Sequence, residues 1–504
     1  MASYGNYLTG ISSSTRISGM VSGMDTDSLV NSLLQIEQLK IDKVYKSKTL
    51  VEWKNDSLRE VNNMIRVFRN KYMSVLSPET NMYTSSAYKS YDVEMESNAN
   101  VKITANSGAI TGNYVINEIT RLAKGATATG ADKISGGQGL NTSVALKDLP
   151  LARSLEFVNG KISFSINDVV FEFDENDTLQ KLINDINGSE ANVTVYYSSL
   201  SDKLTLSTKA TGSSATLQVE NILGNAVGDD SALGIDEGIF VGEDAEITIN
   251  NYKVIRSSNT FVIDGIEYNL RGTTDKPISF SVSQNIDTPV NKIKDFINAY
   301  NELVENLNNR IYEEKNYNYT PLTEAQKKEM KEEDIAKWEE QAKKGLLRND
   351  IGISTLLNEL RASVYQKIEG LNLSLADIGI TTGAYNDRGK LVIDEQKLRN
   401  ALKENGDNVM KLFTQNSSSE DKSVKYKESG FIPRLLSSFT DYNGKVDFDA
   451  LSQKINEYKD HIKELEYKMY LKGEKYYKKF AAMESALAKM NSQSMWLAQQ
   501  LGMY

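Results

Sequence analysis

The sequence predicts a multidomain α+β protein: long terminal helices pairing as a coiled-coil leg, a helical-bundle domain, and inserted mainly-β head domains. Three observations predict it. Both ends of the 504-residue chain carry apolar residues at heptad spacing. Between residues 83 and 285 that pattern gives way to a stretch rich in Thr, Ser, Asn, Gly and Val, and helical periodicity returns after Pro289. Hydrophobic residues at 40% and charged residues at 25% are the mixture of a folded chain, not a disordered one.

Residues 1–24, rich in Ser, Gly and Thr, are expected to be a flexible N-terminus. Asp25 is a candidate N-cap, with Asp27 in the first turn. Helix is expected from there to about Leu76, ahead of Pro78. Val44, Val51, Leu58, Ile65 and Tyr72 recur every seven residues. Val61, Phe68 and Val75 supply the alternate spacing, and Leu29, Leu33 and Ile36 form an earlier stripe. So narrow a seam suits helix-to-helix packing. Residues 447–501 mirror it: Ile455, Ile462, Met469, Tyr476, Met483, Met490 and Leu497 recur every seven, with Leu451, Tyr458 and Leu465 as companions. After Gly473 the companion stripe moves to Phe480, Leu487 and Leu501, the drift of a straight helix against a strict heptad. Either the two ends pair with each other, with everything between inserted as a head on a stalk, or each pairs with other copies of the chain. The first is the more economical.

In the middle, Tyr91, Val93 and Met95, then Val101 and Ile103, then Tyr114 and Ile116, alternate as strands do. Residues 123–145 read as a long loop. Residues 161–210 read as a ββαββ module: Ile162, Phe164 and Ile166 turn at Asn167-Asp168 into Phe171 and Phe173. A short helix follows, capped by Asp177 and closed by Gly188, then strands at Val193–Tyr197 and Leu204–Leu206. Asp264-Gly265 marks a tight hairpin. After Pro289 come a core-facing helix to Leu307 and a charged helix over 323–344. That helix has Thr323 and Gln326 as a capping box and Glu333/Lys337, Glu339/Lys343 and Glu340/Lys344 as i,i+4 pairs. A hairpin is expected at 378–394, and residues 415–429 are expected to be mobile. The expected domains are a flexible 1–24; a leg of 25–78 and 447–504; a helical domain of 79–90 and 286–446; a β head of 91–155 and 241–285; and an inserted ββαββ head of 156–240.

The chemistry that composition excludes is broad. With no Cys and one His there is no thiol nucleophile, disulfide or Cys/His zinc site. Asp, Glu, Lys and Tyr could still do chemistry, so an enzyme is disfavoured by composition, and with no catalytic or ligand motif present no catalytic, cofactor-binding or metal-binding residues are expected. The net charge of −10 opposes nucleic-acid binding. No stretch reaches the roughly 20 apolar residues of a membrane helix, and residues 1–20 lack the basic start and apolar core of a Sec-type signal peptide. His461 lies outside both seam stripes, as a solvated residue would. The stretch 384–395 has Ala384 and Arg388 where a calcium loop needs ligands, so it reads as a β-turn. Lys and Tyr interleave over 459–479, but Glu464, Glu466 and Glu474 dilute the charge. The tail, with Met495, Trp496, Leu497, Leu501 and Met503, is either a docking segment or buried against the N-terminal helix. The candidate assembly and partner interface is Val44, Val51, Leu58, Ile65, Tyr72, Ile455, Ile462, Met469, Phe480, Met483, Leu487, Met490, Trp496, Leu497 and Leu501.

Several separated stretches together resemble the flagellar filament-capping family, FliD or flagellar hook-associated protein 2. They are Ile17-Ser-Gly-Met-Val-Ser-Gly-Met-Asp25; Ser257-Ser258-Asn259 with Asp264-Gly265-Ile266; and Phe296-Ile-Asn-Ala-Tyr-Asn-Glu-Leu303. Leu375-Ala-Asp-Ile-Gly-Ile380 follows, running on to Leu412-Phe413, and then Phe480-Ala-Ala-Met-Glu484 with Met490-Asn491. Residues 123–155, 210–245 and 323–345 depart from the pattern. The resemblance implies a non-enzymatic, homo-oligomeric cap at the extracellular tip of the flagellum, exported by the flagellar type III apparatus. Implied partners are flagellin, the hook–filament junction protein and a cytoplasmic export chaperone at the C-terminal helix. A second reading from the residues is a secreted adhesin that binds host mucus or glycans through the β head. A third, a carboxylate hydrolase, lacks any recognisable carboxylate pair.

Overall fold

The computed structural model describes residues 21–130 and 132–501, so most of the expected flexible N-terminus, and Met503, lie outside the described residues. The chain forms two compact units, residues 89–289 and the remainder. The first helix, α1 (Thr26–Tyr72), starts as expected: the Asp25 side chain accepts from the Ser28 N–H at 3.0 Å. It ends at Tyr72, not Leu76. The Met82 N–H bonds back to the Tyr72 carbonyl at 2.8 Å, turning the chain away. Val75 therefore leaves the seam assigned to it and is 84% exposed.

In the 89–289 unit, β1 (Ser90–Met95), β2 (Val101–Ala105) and β3 (Gly112–Arg121) follow the predicted alternation. The next elements are β4 (Thr127–Ala128), β5 (Lys161–Ile166), β6 (Val169–Asp174), α2 (Leu179–Asn187), β7 (Val193–Ser198) and β8 (Lys203–Thr208). From β5 to β8 this is the predicted ββαββ order. The cap of α2 is Thr178, which accepts from the Lys181 N–H, not Asp177, whose carboxylate instead takes the Asp174 N–H. β9 (Thr216–Leu223) and β10 (Gly238–Val241) complete an antiparallel sheet of order β10-β9-β5-β6 facing α2 and the sheet β4-β8-β7.

The chain then returns through β11 (Ala245–Ile249), β12 (Tyr252–Arg256), β13 (Thr260–Ile263), β14 (Ile266–Leu270) and β15 (Ile278–Asn285). These join the first three strands as the sheets β1-β15-β3-β11-β12 and β13-β14-β2. The Asp264-Gly265 turn between β13 and β14 has both residues at positive φ, 50° and 75°. Only glycine fits the second position, since a Cβ there would lie 2.3 Å from the Gly108 carbonyl carbon.

Each pair of sheets closes its own core. The segment 126–155, expected to belong to the first β head with a long loop over 123–145, belongs to the second core instead: Ala126, Ala128, Ile134, Leu146 and Leu149 are all buried in it. A single buried carboxylate organises this strand-poor stretch. Asp202 accepts from the Ser135 N–H (3.2 Å) and Oγ (2.7 Å), the Gly137 N–H (2.8 Å) and the Tyr197 hydroxyl (2.8 Å). Burial alone would raise the Asp202 pKa, but these donors hold it below the usual carboxylate value.

The helical unit resumes with α3 (Asp287–Tyr312), α4 (Glu324–Lys328), α5 (Glu332–Lys343) and α6 (Ile351–Tyr365). The hairpin β16 (Ile380–Thr382) and β17 (Leu391–Ile393) follows, then α7 (Glu395–Thr414), α8 (Lys422–Glu428), α9 (Phe431–Lys445) and α10 (Phe448–Gln500). The charged stretch is two helices, not one, although its Thr323/Gln326 capping box is present. None of its three expected i,i+4 ion pairs forms. Glu339 pairs with Lys327 at 2.7 Å, and the Lys343 ammonium sits over the Trp53 ring at 5.2 Å. Packing against α1 outcompetes pairs worth only a few tenths of a kcal/mol.

Residues 422–428, expected to be mobile, are helical. Asp421 caps them, and Arg434 of α9 donates to the carbonyls of Tyr426 (2.8 Å) and Lys427 (3.2 Å). The same guanidinium donates to the carbonyls of Ser363, Gln366 and Lys367 at the end of α6.

Candidate functional site

The terminal helices α1 and α10 pair antiparallel. Tyr477 donates to Asp27 at 2.7 Å, Lys472 bonds Glu37 at 2.6 Å, and the Arg59 guanidinium covers the Phe448 ring at 4.7 Å. Val30, Leu34 and Ile41 pack on Ile462, Met469 and Tyr477, flanked by Val44, Leu465 and Phe480. Lys472, then Lys40, hold the Glu37 carboxyl below its usual value. That inter-helix pair is surface-exposed and contributes little to stability.

The predicted interface residues divide into three groups. Ile455, Ile462 and Met469 are buried in the seam as expected, and Val44, Val51, Phe480 and Met483 are half-buried along it, while Leu487, also half-buried, lies beyond Glu484. Leu58 and Ile65 are buried on α1, but the seam does not continue as a coiled coil to Tyr72. Phe68 and Tyr72 pack into the helical domain, with ring centroids 5.5 and 5.4 Å from Phe296. Met490, Trp496, Leu497 and Leu501 are exposed, not seam residues and not covered by α1. The reason is register. Antiparallel pairing places Glu484 beside Ser22, so residues 485–500 of α10 project past the first described residues of α1 by about 24 Å at 1.5 Å per residue.

Two stripes are corrected. Leu29, Leu33 and Ile36 are exposed, and with Leu39 they line the outer face of α1. The buried stripe is Val30, Leu34 and Ile41, with Val44 half-buried beside it. On α10 the buried positions after Met469 are Gly473, Tyr477 and Glu484, one step beyond the expected Tyr476 and Met483. This is the accumulated mismatch between 3.6 and 3.5 residues per turn.

Glu484 is the residue the periodicity missed. It is 1% exposed and takes the N–H groups of Val21 (3.1 Å) and Ser22 (3.3 Å) and the Ser22 hydroxyl. The glycine-rich N-terminal stretch and the Phe480–Glu484 stretch, recognisable apart in the sequence, thus meet at one carboxylate. The Ser22 hydroxyl, with both amides, holds this carboxyl below the usual glutamate range. A depressed folded-state pKa stabilises the fold above the ordinary value near 4.3 and ceases to do so as pH falls through the depressed one. Hydrogen exchange at residues 21–34 should therefore accelerate as pH drops below about 4.3, after correction for intrinsic rates. Glu484→Ala should raise exchange at Val21 and Ser22 by about tenfold at pH 7 and abolish that pH dependence. A pH response retained in the variant would exclude Glu484 as its source.

Among the described residues no group of three or more His, Asp or Glu side chains is placed to hold a metal, and no helix is long and apolar enough to cross a membrane. His461 is half-exposed beside Glu464 at 3.5 Å.

Chain ends that pair as one antiparallel helical leg, with β modules inserted between the parts of a helical domain, define the class of this protein. The family models described as flagellar hook-associated protein 2 N-terminus and C-terminus match residues 22–126 and 242–492, together well over half of the chain. The chain belongs to the flagellar hook-associated protein 2 family. It is 29% identical over 469 residues to flagellar hook-associated protein 2 of Halalkalibacterium halodurans, covering 84% of this chain and 86% of the relative. It is 28% identical over 390 residues to that of Thermotoga maritima, covering 72% of this chain and 58% of the relative. The crystal structure of the D1-D2-D3 domains of the flagellar cap protein FliD from Escherichia coli shares the fold, with a TM-score of 0.51 at 19% identity. That match covers 79% of this chain and 99% of that one.

Proposed function

We propose that this chain caps the flagellar filament: copies assemble into a plate at the extracellular tip, and their legs guide exported flagellin into the growing lattice. The observation that carries this reading, within the family, is the apolar end of the leg, which no other described element covers. Met490, Met495, Trp496, Leu497 and Leu501 are exposed at the end of α10, and Leu29, Leu33, Ile36 and Leu39 are exposed further along the leg on α1, apolar faces of the kind that dock on other helices. Flagellin released unfolded beneath a plate stays at high local concentration, so its own helices meet the lattice before they diffuse away. This is confinement and requires no covalent step. In this reading the chain leaves the cell through the flagellar type III apparatus. A cytoplasmic chaperone covers the C-terminal helix until then, and the hook–filament junction is its first docking site.

The test is a strain deleted for the gene. Flagellin is expected as monomer in the medium, with filaments absent; normal filaments would overturn the reading. Complementation with Trp496→Ser, Leu497→Ser and Leu501→Ser, which leave the leg seam intact, should fail to restore filaments.

A further inference from the structure

A cleft of about 350 Å³ opens between the upper part of α1 and the start of α10. Arg59, Arg66 and Arg69 line it along one face of α1, with Asn62 beside them and Phe448 opposite. Arg59 lies over the Phe448 ring, and Arg66 donates to Asn63 at 2.7 Å. None of the three arginines forms an ion pair with a carboxylate among the described residues. The Asn62 side-chain oxygen is buried there without a hydrogen-bond partner, and a half-turn of that amide presents its NH2 group instead. In a chain with 68 acidic and 58 basic residues, a cleft with three guanidinium groups and no carboxylate is a local inversion of charge. Guanidinium forks match carboxylates in geometry, and partial desolvation against an aromatic wall strengthens the attraction.

The complementary surface lies elsewhere on the same unit. The first turn of α5 carries Glu332, Glu333 and Asp334, all exposed and none in an ion pair among the described residues. It is the end of α5 opposite Lys343, which touches Trp53 of α1. No residue of α5 lines its own chain's cleft, and the turn belongs to the stretch that departs from the family pattern.

We propose that the Arg59–Arg66–Arg69 cleft of one copy receives the acidic first turn of α5 from a second copy. The contact is heterologous, with different surfaces on the two copies, and such contacts build rings where the rotation closes. The inference rests on the reading that copies of this chain assemble.

The chain has no Cys, so introduced thiols report this contact alone. Full-length Arg66→Cys and Glu333→Cys variants are mixed under mild oxidation at a concentration where light scattering detects assembly. A disulfide-linked dimer is expected in the mixture, at least tenfold above either variant alone, and lost in 1 M salt, where the Debye length falls to about 3 Å. Assembly without the mixed cross-link, or cross-linking as strong in Arg66→Cys alone, would overturn the proposal while leaving the assembly reading intact. No assembly under any condition would overturn both. As a second arm, Arg66→Glu with Arg69→Glu should weaken assembly at least tenfold. Adding Glu332→Arg and Glu333→Arg to the same chain should restore it. Failure to restore, with the variant folded, would point to an acidic segment of another protein as the occupant and overturn the choice of a second copy.

Discussion

Replacing Arg434 by Met is expected to destabilise the helical unit by about 3–5 kcal/mol. The guanidinium is 2% exposed and donates to five main-chain carbonyls, three at the end of α6 and two in the last turn of α8. No carboxylate among the described residues pairs with it. Its countercharge is the negative end of two helix dipoles, supplemented by the Tyr426 ring at 5.1 Å. Burial lowers its pKa, yet an arginine remains protonated. Met fills most of the volume but leaves those carbonyls without donors, at about 1–3 kcal/mol for each one that water does not reach. Lys keeps the charge without the fork and should fall between the two. Urea denaturation followed by hydrogen exchange is the measurement. Residues 351–367 and 422–442 should lose protection together, and residues 89–289 should keep theirs. Protection lost only at 422–428 would mean that Arg434 holds one helix, not two.

Leu58→Pro is expected to abolish capping while the β strands of 89–289 remain folded. Position 58 is deep inside the 47-residue α1 and buried. Proline there removes one helical hydrogen bond and pushes against the preceding turn, at about 3 kcal/mol or more. The resulting kink falls between the lower part of α1, which pairs with α10, and the upper part, whose Phe68 stacks near Phe296 and Phe439. The two halves cannot then hold one line. Met483→Pro should do the same from the α10 side. Complementation of filament growth reads the first part and amide protection of residues 89–289 the second. Unfolding of those strands in either variant would contradict modular folding.

What the sequence made legible follows the strength of each local signal. The ββαββ module carried strict alternation, turn residues able to adopt positive φ and an amphipathic helix, so it was readable strand by strand. The boundaries of α10 were readable from Asp447 and the heptad. Residues 126–155 were not, because their order comes from Asp202 far along the chain, and no local pattern announces a carboxylate that collects four donors. Arg434 had a signal that was there to be read: it shares a helix face with Phe431, Leu435, Ser438 and Tyr442, all buried. At the leg, Ile455, Ile462 and Met469 were legible. Glu484 was not, since a charged residue in a seam position looks like the end of the seam until the N-terminal amides that bind it are in view.

The pairing of β1 with β15 sets Ser90 directly opposite Asn285. Once that ladder forms, the two ends of the inserted stretch are held side by side. The helical unit is discontinuous in sequence, so α1 must otherwise find α3 across a chain excursion of about 200 residues. Closure entropy grows as (3/2)RT ln n, and replacing such an excursion by a handful of residues lowers the cost by about 3 kcal/mol. Strand pairing in the insert would thus act as an intramolecular catalyst of α1–α3 docking, and the rate at which those two helices meet would follow how fast residues 90 and 285 do.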